Sequence, residues 1–372
     1  MHTVAAAWLM TTLTPSPLMA SLVQTASSLP MFLLALAAGA VADSIDRRRL
    51  LLIAQSWMLF IAALLGILTL AGRTTPWSLL ILTFALGLGG ALTAPAFAAT
   101  IPELVEPEQM PQAVTLNSIQ FNVARALGPA AAGAVLAWGG PGAAFLVNAL
   151  SFVGVVYVIY RWRILPRGGF RTLITIGPAL REGLQFIRKA KQYQQVLLYA
   201  GTFVTFGSAL WALLPVVART QVNATESQYG LMLSSLGAGA ASAGVWLAQS
   251  RSRWKPNYVL AAGIALFAIV NAALSRMSSV YPTYVCLLFG GFAWIACMSS
   301  LNVLGQSLLP NWVRARGISM YLLVFQGAMA GSSWIWGGVA GRFGVPSALL
   351  IAAVFMVALS LVVALRGFQE NE

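Results

Sequence analysis

Apolar runs of about 20 residues recur along the whole chain and are separated by short polar breaks. About 20 apolar residues in a helix match a bilayer core of roughly 30 Å. The pattern therefore predicts an all-α polytopic membrane protein with eleven complete spans. These spans run over 19–42, 50–71, 77–98, 114–138, 142–161, 194–218, 229–249, 257–275, 283–305, 317–338 and 345–366.

An internal repeat relates the two halves of the sequence. Shifting the chain by 204 residues places Gly87 on Gly291 and Gly133 on Gly337, and it matches the span boundaries from the second helix to the last. The repeat predicts two six-helix bundles. By this register the apolar segment 1–13, about 20 Å long as a helix and too short to cross, is the end of a first helix whose front is missing.

The repeat also sets the expected domain limits. We predict an amino-terminal bundle over 1–161, a linker over 162–193 and a carboxy-terminal bundle over 194–372. Apolar residues at helical spacing and basic residues on the other side predict an amphipathic linker helix at the membrane surface. A solvated tether between the bundles explains the linker equally well.

Composition and charge narrow the class of protein. The chain is 59% hydrophobic and 8% charged, whereas soluble domains carry about 25% charged residues.

Of its 22 Lys and Arg residues, 17 fall on one set of alternate connections and four on the other. The positive-inside rule makes the richer side cytoplasmic, with both termini on it. Because the basic residues are spread over separate short loops, they do not form a nucleic-acid footprint.

Several kinds of chemistry lack the residues they need. His2 is the one histidine, and Cys286 and Cys297 lie eleven residues apart in one apolar run, so we expect no metal site. A phosphate-binding loop is absent from the sequence, and we expect no cofactor. None of the nine acidic residues falls inside a complete span, so neither an enzymatic acid–base pair nor the usual intramembrane proton carrier is visible.

The loop after the second helix has a recognisable pattern. Gly39 stands four residues before Asp43, and Asp46, Arg47 and Arg48 follow. This loop resembles the signature loop of the major facilitator superfamily, and the resemblance covers the whole chain except the front of the first helix. It implies a gating role in which Asp43, with Arg47 and Arg48, latches one bundle against the other. A basic stop-transfer flank would explain the arginines but not Asp43.

A second motif lies in the fifth span. Gly128, Pro129 and Gly133 resemble the Gly-Pro motif of exporters in this superfamily, within the bacterial branch that includes enterobactin-type siderophore exporters and drug effluxers. Proline removes a backbone hydrogen bond and bends a helix, and glycine lets a neighbouring helix approach closely. The motif therefore predicts a helix kink that seals one conformation. Ordinary glycine packing is the alternative.

Arg125 is the one basic residue inside a span. A guanidinium in a span costs several kcal/mol unless it faces a cavity, pairs or reaches the interface. Ser118, Asn122 and Arg125 follow i, i+4, i+7 spacing and share one helix face, which predicts a polar cavity wall. A structural clamp on backbone carbonyls is the alternative for Arg125. Further cavity candidates on other spans are Asn302, Gln326 and Trp334.

These features predict a monomeric secondary transporter that moves a small molecule across the bilayer by alternating access. A cavity with Arg125 and no carboxylate favours an anionic or polar substrate over a lipophilic cation. Export, proton antiport and a location in the bacterial inner membrane are what the resemblance implies. The main alternative is a truncated and inactive transporter remnant, and a third class, an intramembrane enzyme, lacks a visible nucleophile and base.

Overall fold

The computed structural model describes residues 1–34, 46–162, 190–250, 255–310 and 313–366. Within these ranges the chain forms eleven α-helices, numbered here in chain order. They are α1 His2–Leu13, α2 Pro17–Leu34, α3 Arg47–Leu70, α4 Pro76–Leu104, α5 Met110–Arg161, α6 Lys191–Val216, α7 Glu226–Ser250, α8 Pro256–Leu274, α9 Val280–Ser307, α10 Arg314–Phe343 and α11 Val345–Arg366.

Helix α5 contains two of the predicted spans. Its backbone leaves helical geometry at Gly140, where φ is 71°, a left-handed conformation that glycine adopts without a Cβ penalty. The helix therefore turns back between the predicted spans 114–138 and 142–161. In the described ranges, ten helical stretches are long and apolar enough to cross a membrane, and with α5 divided at Gly140 they correspond to the eleven predicted spans.

Local side chains fix where several helices begin. Asp46 caps α3, because its Oδ1 accepts a hydrogen bond of 2.8 Å from the backbone N–H of Arg49. Thr75 and Ser78 form a capping box at α4, and Pro76 occupies its first turn. The connection 14–16 separates α1 from α2, as the Thr-Pro-Ser-Pro sequence at 14–17 predicts.

The helices pack as two groups that meet along two crossings. Helices α1–α5 pack on one another, and so do α6–α11. The main contacts between the groups are α2 against α10 and α5 against α7, with smaller contacts of α1 and α2 on α6. Most of the linker 162–193 lies outside the described residues, so its amphipathic helix and the exact domain limits stay predictions.

The two ends of the helix bundle differ in charge. The basic end is defined as the end where α3 begins at Arg47 and α5 ends at Arg161. The opposite end holds the connections 14–16, 71–75, 217–225 and 275–279. Helix α1, with 12 residues, reaches the opposite end at Leu13.

Candidate functional site

A cavity of about 460 Å³ lies along the half of α9 that is nearer the basic end. Asn302 and Gln306 are exposed on it, and the Gln306 side-chain N–H donates to Asn302 Oδ1. The cavity offers hydroxyl and amide groups between apolar surfaces, a composition suited to a polar or amphiphilic small molecule. The described lining consists of Ile295, Met298, Ser299, Asn302, Val303 and Gln306.

Of the cavity residues predicted outside α5, one lies in the described cavity lining and two do not. Asn302 lies in the cavity wall, whereas the neighbouring Ser299 and Gln306 were missed. Their spacing of three and four residues around Asn302 is the signal that would have found them. Gln326 is half-buried on α10, and Trp334 is 51% exposed on the same helix, and neither belongs to the lining given above.

The predicted polar stripe on α5 is placed by its backbone alone. Ser118, Asn122 and Arg125 lie in regular helix, with their side chains outside the described set. Their role in the cavity stays a prediction.

The opposite end is closed by a contact between the two groups of helices. Trp8 on α1 donates a hydrogen bond of 3.2 Å from Nε1 to Glu226 Oε1. Its ring stacks on Tyr229 with centroids 5.3 Å apart, and the Arg219 guanidinium carbon lies 5.7 Å from the ring centroid. Stacking and cation–π contacts of this kind each contribute about 0.5–2 kcal/mol. Trp8, Arg219, Glu226 and Tyr229 are called the Trp8 clamp below.

Glycines at the same end let helices of the two groups approach each other closely. Gly133 on α5 and Gly230 on α7 approach so closely that a Cβ on either would overlap the Cα of the other. A Cβ on Gly337 of α10 would overlap the Ser21 hydroxyl of α2. Because only glycine permits this backbone approach, both crossings depend on these residues. Among the described residues, the two groups of helices therefore contact each other at the opposite end, and the cavity along α9 lies in the other half.

The predicted kink motif divides into two kinds of position. Gly133 forms the crossing with Gly230, while a Cβ on Gly128 would meet nothing within 4 Å. The one non-helical backbone position inside α5 is Gly140, and the helix continues through Pro129. A bend at Gly128–Pro129 stays a prediction.

The predicted gating loop is described only at its end. Gly39 and Asp43 lie outside the described residues, Asp46 caps α3, and Arg47 begins that helix. Arg48 donates from Nε to the Ile159 carbonyl at 3.2 Å and from a terminal nitrogen to the Tyr160 carbonyl. Arg48 thus ties α3 to the carboxy-terminal end of α5, where a cation also complements the helix dipole. Its pairing with Asp43 stays a prediction.

Other polar groups that could carry chemistry are dispersed. In the described ranges, no group of three or more His, Cys, Asp or Glu residues could hold a metal ion. Cys286 and Cys297 are free and buried. Trp294 and Trp336 are buried in packing, and the Trp336 indole N–H donates to the Thr205 carbonyl at 2.7 Å.

Comparison with known proteins places this architecture in a family. A family model described as "Transmembrane secretion effector" matches residues 1–372. The staphyloferrin A transporter of Staphylococcus aureus is 22% identical over 345 residues, which cover 90% of this chain and 83% of the relative. The multidrug resistance protein MdtH of Klebsiella pneumoniae is 24% identical over 339 residues, covering 87% and 79%.

A solved structure shares the fold. A bacterial homolog of the human lysosomal transporter Spinster, in an inward-facing and occupied conformation, superimposes with a TM-score of 0.81. The two chains are 14% identical, and the match covers 98% of this chain and 91% of the other.

Proposed function

The chain belongs to the transmembrane secretion effector family of the major facilitator superfamily and is a multi-pass secondary transporter, and from that premise we propose that it exports small anionic or polar amphiphilic molecules by proton antiport. The family and its relatives are transporters, not enzymes. The resemblance inferred from the loop with Gly39, Asp43 and the following arginines, and from the motif with Gly128, Pro129 and Gly133, is thereby confirmed at the level of the family.

One observation carries the proposal. A cavity with amide and hydroxyl groups lies in the basic half, while the Trp8 clamp and the Gly133–Gly230 crossing close the opposite end. Alternating access requires states of this kind, in which a central site is closed toward one side of the membrane. If the basic end is cytoplasmic, as the positive-inside rule predicts, this is the state that would load substrate from the cytoplasm.

The substrate class follows from charge and hydrogen bonding. Arg125 is the one basic residue away from the ends of the predicted spans, and no acidic residue lies inside those spans, so the field in the cavity would favour anions. Ser299, Asn302 and Gln306 add neutral donors and acceptors. The names of two relatives, a staphyloferrin A transporter and a multidrug resistance protein, fit a site for such molecules. Export and the inner-membrane location, with cytoplasmic termini and a monomer, belong to the same proposal.

Uptake into inverted membrane vesicles tests the proposal. Vesicles that contain the chain and an acidic lumen should accumulate staphyloferrin A or the anionic dye carboxyfluorescein faster than the cation ethidium. Collapse of the pH gradient with nigericin should stop the uptake. Uptake of none of the three above that of empty vesicles would contradict the function and favour an inactive remnant. Uptake unaffected by nigericin would contradict proton coupling alone.

Arg125→Ala should reduce anion uptake at least about tenfold, because a charge-assisted hydrogen bond contributes roughly 1.5–3 kcal/mol. Arg73→Ala is the matched control, since Arg73 is exposed in the connection 71–75 at the opposite end. Uptake of carboxyfluorescein by both variants, normalised to the amount of protein in the membrane, gives the measurement. Wild-type uptake by Arg125→Ala would make the arginine a structural clamp and remove the anion argument.

Asn302→Leu and Gln306→Leu should each raise the apparent KM for the transported molecule by up to about tenfold, since a neutral hydrogen bond contributes about 1 kcal/mol. The variants keep the volume of the wall and remove its amides. Ser307→Ala is the control on the same helix, because its hydroxyl bonds the Leu304 carbonyl at 3.0 Å and the residue is not in the described lining. An unchanged KM in both leucine variants would exclude this wall as the binding surface.

A further inference from the structure

His2 is a buried titratable side chain that the transport argument does not use. It is 6% exposed. Its Nε2 lies 3.2 Å from Thr83 Oγ1 of α4, and its ring centroid lies 5.3 Å from that of Phe145 on α5. The other ring nitrogen, Nδ1, is buried and has no hydrogen-bond partner. A buried nitrogen without a partner is costly, and it calls for an explanation.

The surroundings of His2 are apolar and lack a counter-charge. Phe145, whose ring lies against His2, belongs to the buried hydrophobic core together with Leu79 and Ala144. Helices α2, α4, α5 and α6 pack against α1, and no described acidic or basic side chain on them acts on His2. A positive charge on the imidazole would therefore be buried there without a partner, which costs free energy.

Helix α1 joins His2 to the Trp8 clamp. Six residues separate the two side chains, about 9 Å along the helix axis. His2 contacts Thr83 and Phe145 and so packs α1 against its own group of helices. Trp8 contacts the other group of helices through Glu226, Arg219 and Tyr229. A movement of α1 away from α4 therefore changes the clamp as well.

We propose that His2 is a proton-binding site in the membrane interior and that its protonation loosens α1 and opens the Trp8 clamp. In the tautomer in which Nε2–H donates to Thr83 Oγ1, Nδ1 keeps its lone pair and is the atom that takes the proton. The imidazolium then gains free energy by moving toward water, so low pH favours the open clamp. The inference deepens the proposed proton coupling and rests on it for its physiological role. Histidine is the side chain whose ordinary titration falls between pH 5 and 8.

The sequence permits a direct measurement of His2. Because the chain has one histidine, ¹⁵N-histidine labelling of the full chain in nanodiscs, purified without a histidine tag, gives the NMR signals of His2 alone. We expect the Nε2–H tautomer at pH 8 and protonation of Nδ1 on acidification. Thr83→Val should change the Nε2 signal and the titration midpoint. Titration like that of a free histidine, unaffected by Thr83→Val, would overturn the site.

A second measurement reads the clamp. Spin labels at Thr12→Cys and Ser227→Cys, both exposed at the opposite end, are placed in a chain with Cys286→Ala and Cys297→Ala. Electron–electron distances between them report separation of the two groups of helices. We expect a longer-distance population at low pH, growing by at most about tenfold per pH unit as one proton requires.

Non-titrating variants decide whether His2 controls the clamp. His2→Gln keeps a side-chain N–H for Thr83 and should make the distance distribution independent of pH, and His2→Asn provides a second such variant. If the pH response persists in both variants, or if His2 titrates with no change in distance, the coupling is wrong. Neither measurement uses a transported molecule, so its failure is distinct from failure of the vesicle experiment.

Discussion

Gly133→Ala should reduce transport by roughly ten- to a hundredfold while the protein still inserts in the membrane. The added methyl group would overlap the Cα of Gly230, and backbone on both sides of the crossing cannot rotate away. Overpacking of this kind costs about 1–3 kcal/mol. It destabilises the state in which the opposite end is closed. Carboxyfluorescein uptake by inverted vesicles, at equal amounts of protein, measures the loss.

The same helix supplies the control for Gly133. A Cβ on Gly128 meets nothing within 4 Å, so Gly128→Ala should transport nearly as well as the wild type and gain slightly in helix propensity. Gly230→Ala should reproduce the defect from the other side of the crossing. Equal activity of the Gly133→Ala and Gly128→Ala variants would show that the close approach is not needed for transport.

Trp8→Ala should open the opposite end and abolish net accumulation of substrate. Trp8 is 3% exposed, and removing a buried tryptophan costs about 3–5 kcal/mol, here from contacts that join the two groups of helices. The closed state therefore loses most of its stability relative to the open state, and transported substrate returns through the open end. The spin-label pair at Thr12 and Ser227 should show long distances at every pH.

Two further variants separate the contributions to the clamp. Trp8→Phe keeps a ring against Tyr229 and loses the hydrogen bond to Glu226. It should therefore destabilise the closed state relative to the open state by only about 1 kcal/mol. Trp138→Ala is the control, because Trp138 lies near the same end and is 85% exposed. A closed distance distribution in Trp8→Ala would remove the clamp from the gating mechanism.

The sequence anticipated the helices well, because each membrane helix is fixed by local properties. A run of apolar residues must satisfy its backbone within the helix when it enters a bilayer, so 257–275 and 345–366 correspond closely to α8 and α11. The break between the predicted spans 114–138 and 142–161 is also local, because Gly140 can adopt the left-handed backbone conformation found there. Other starts, such as Lys191 instead of 194 for α6, shift by a few residues because polar ends extend beyond the membrane core.

The site was anticipated only in part. Asn302 could be proposed from the cost of an amide in a span. Ser299 and Gln306 lie three and four residues from Asn302 and share its helix face, but serine and glutamine are common enough in helices that neither residue alone indicates a cavity wall. The contact of His2 could not be predicted, because nothing in its sequence neighbourhood reveals Thr83 on another helix, 81 residues away.

The sequence by itself determined the class of protein, the repeated helices and the side that carries the basic residues, because hydrophobic length and flanking charge act locally in a membrane. The tertiary structure decided which end is closed and what closes it. Trp8 and Glu226 are 218 residues apart, and Gly133 meets Gly230 only where α5 crosses α7. Such contacts depend on how finished helices pack, and the pattern along a single helix does not contain that geometry.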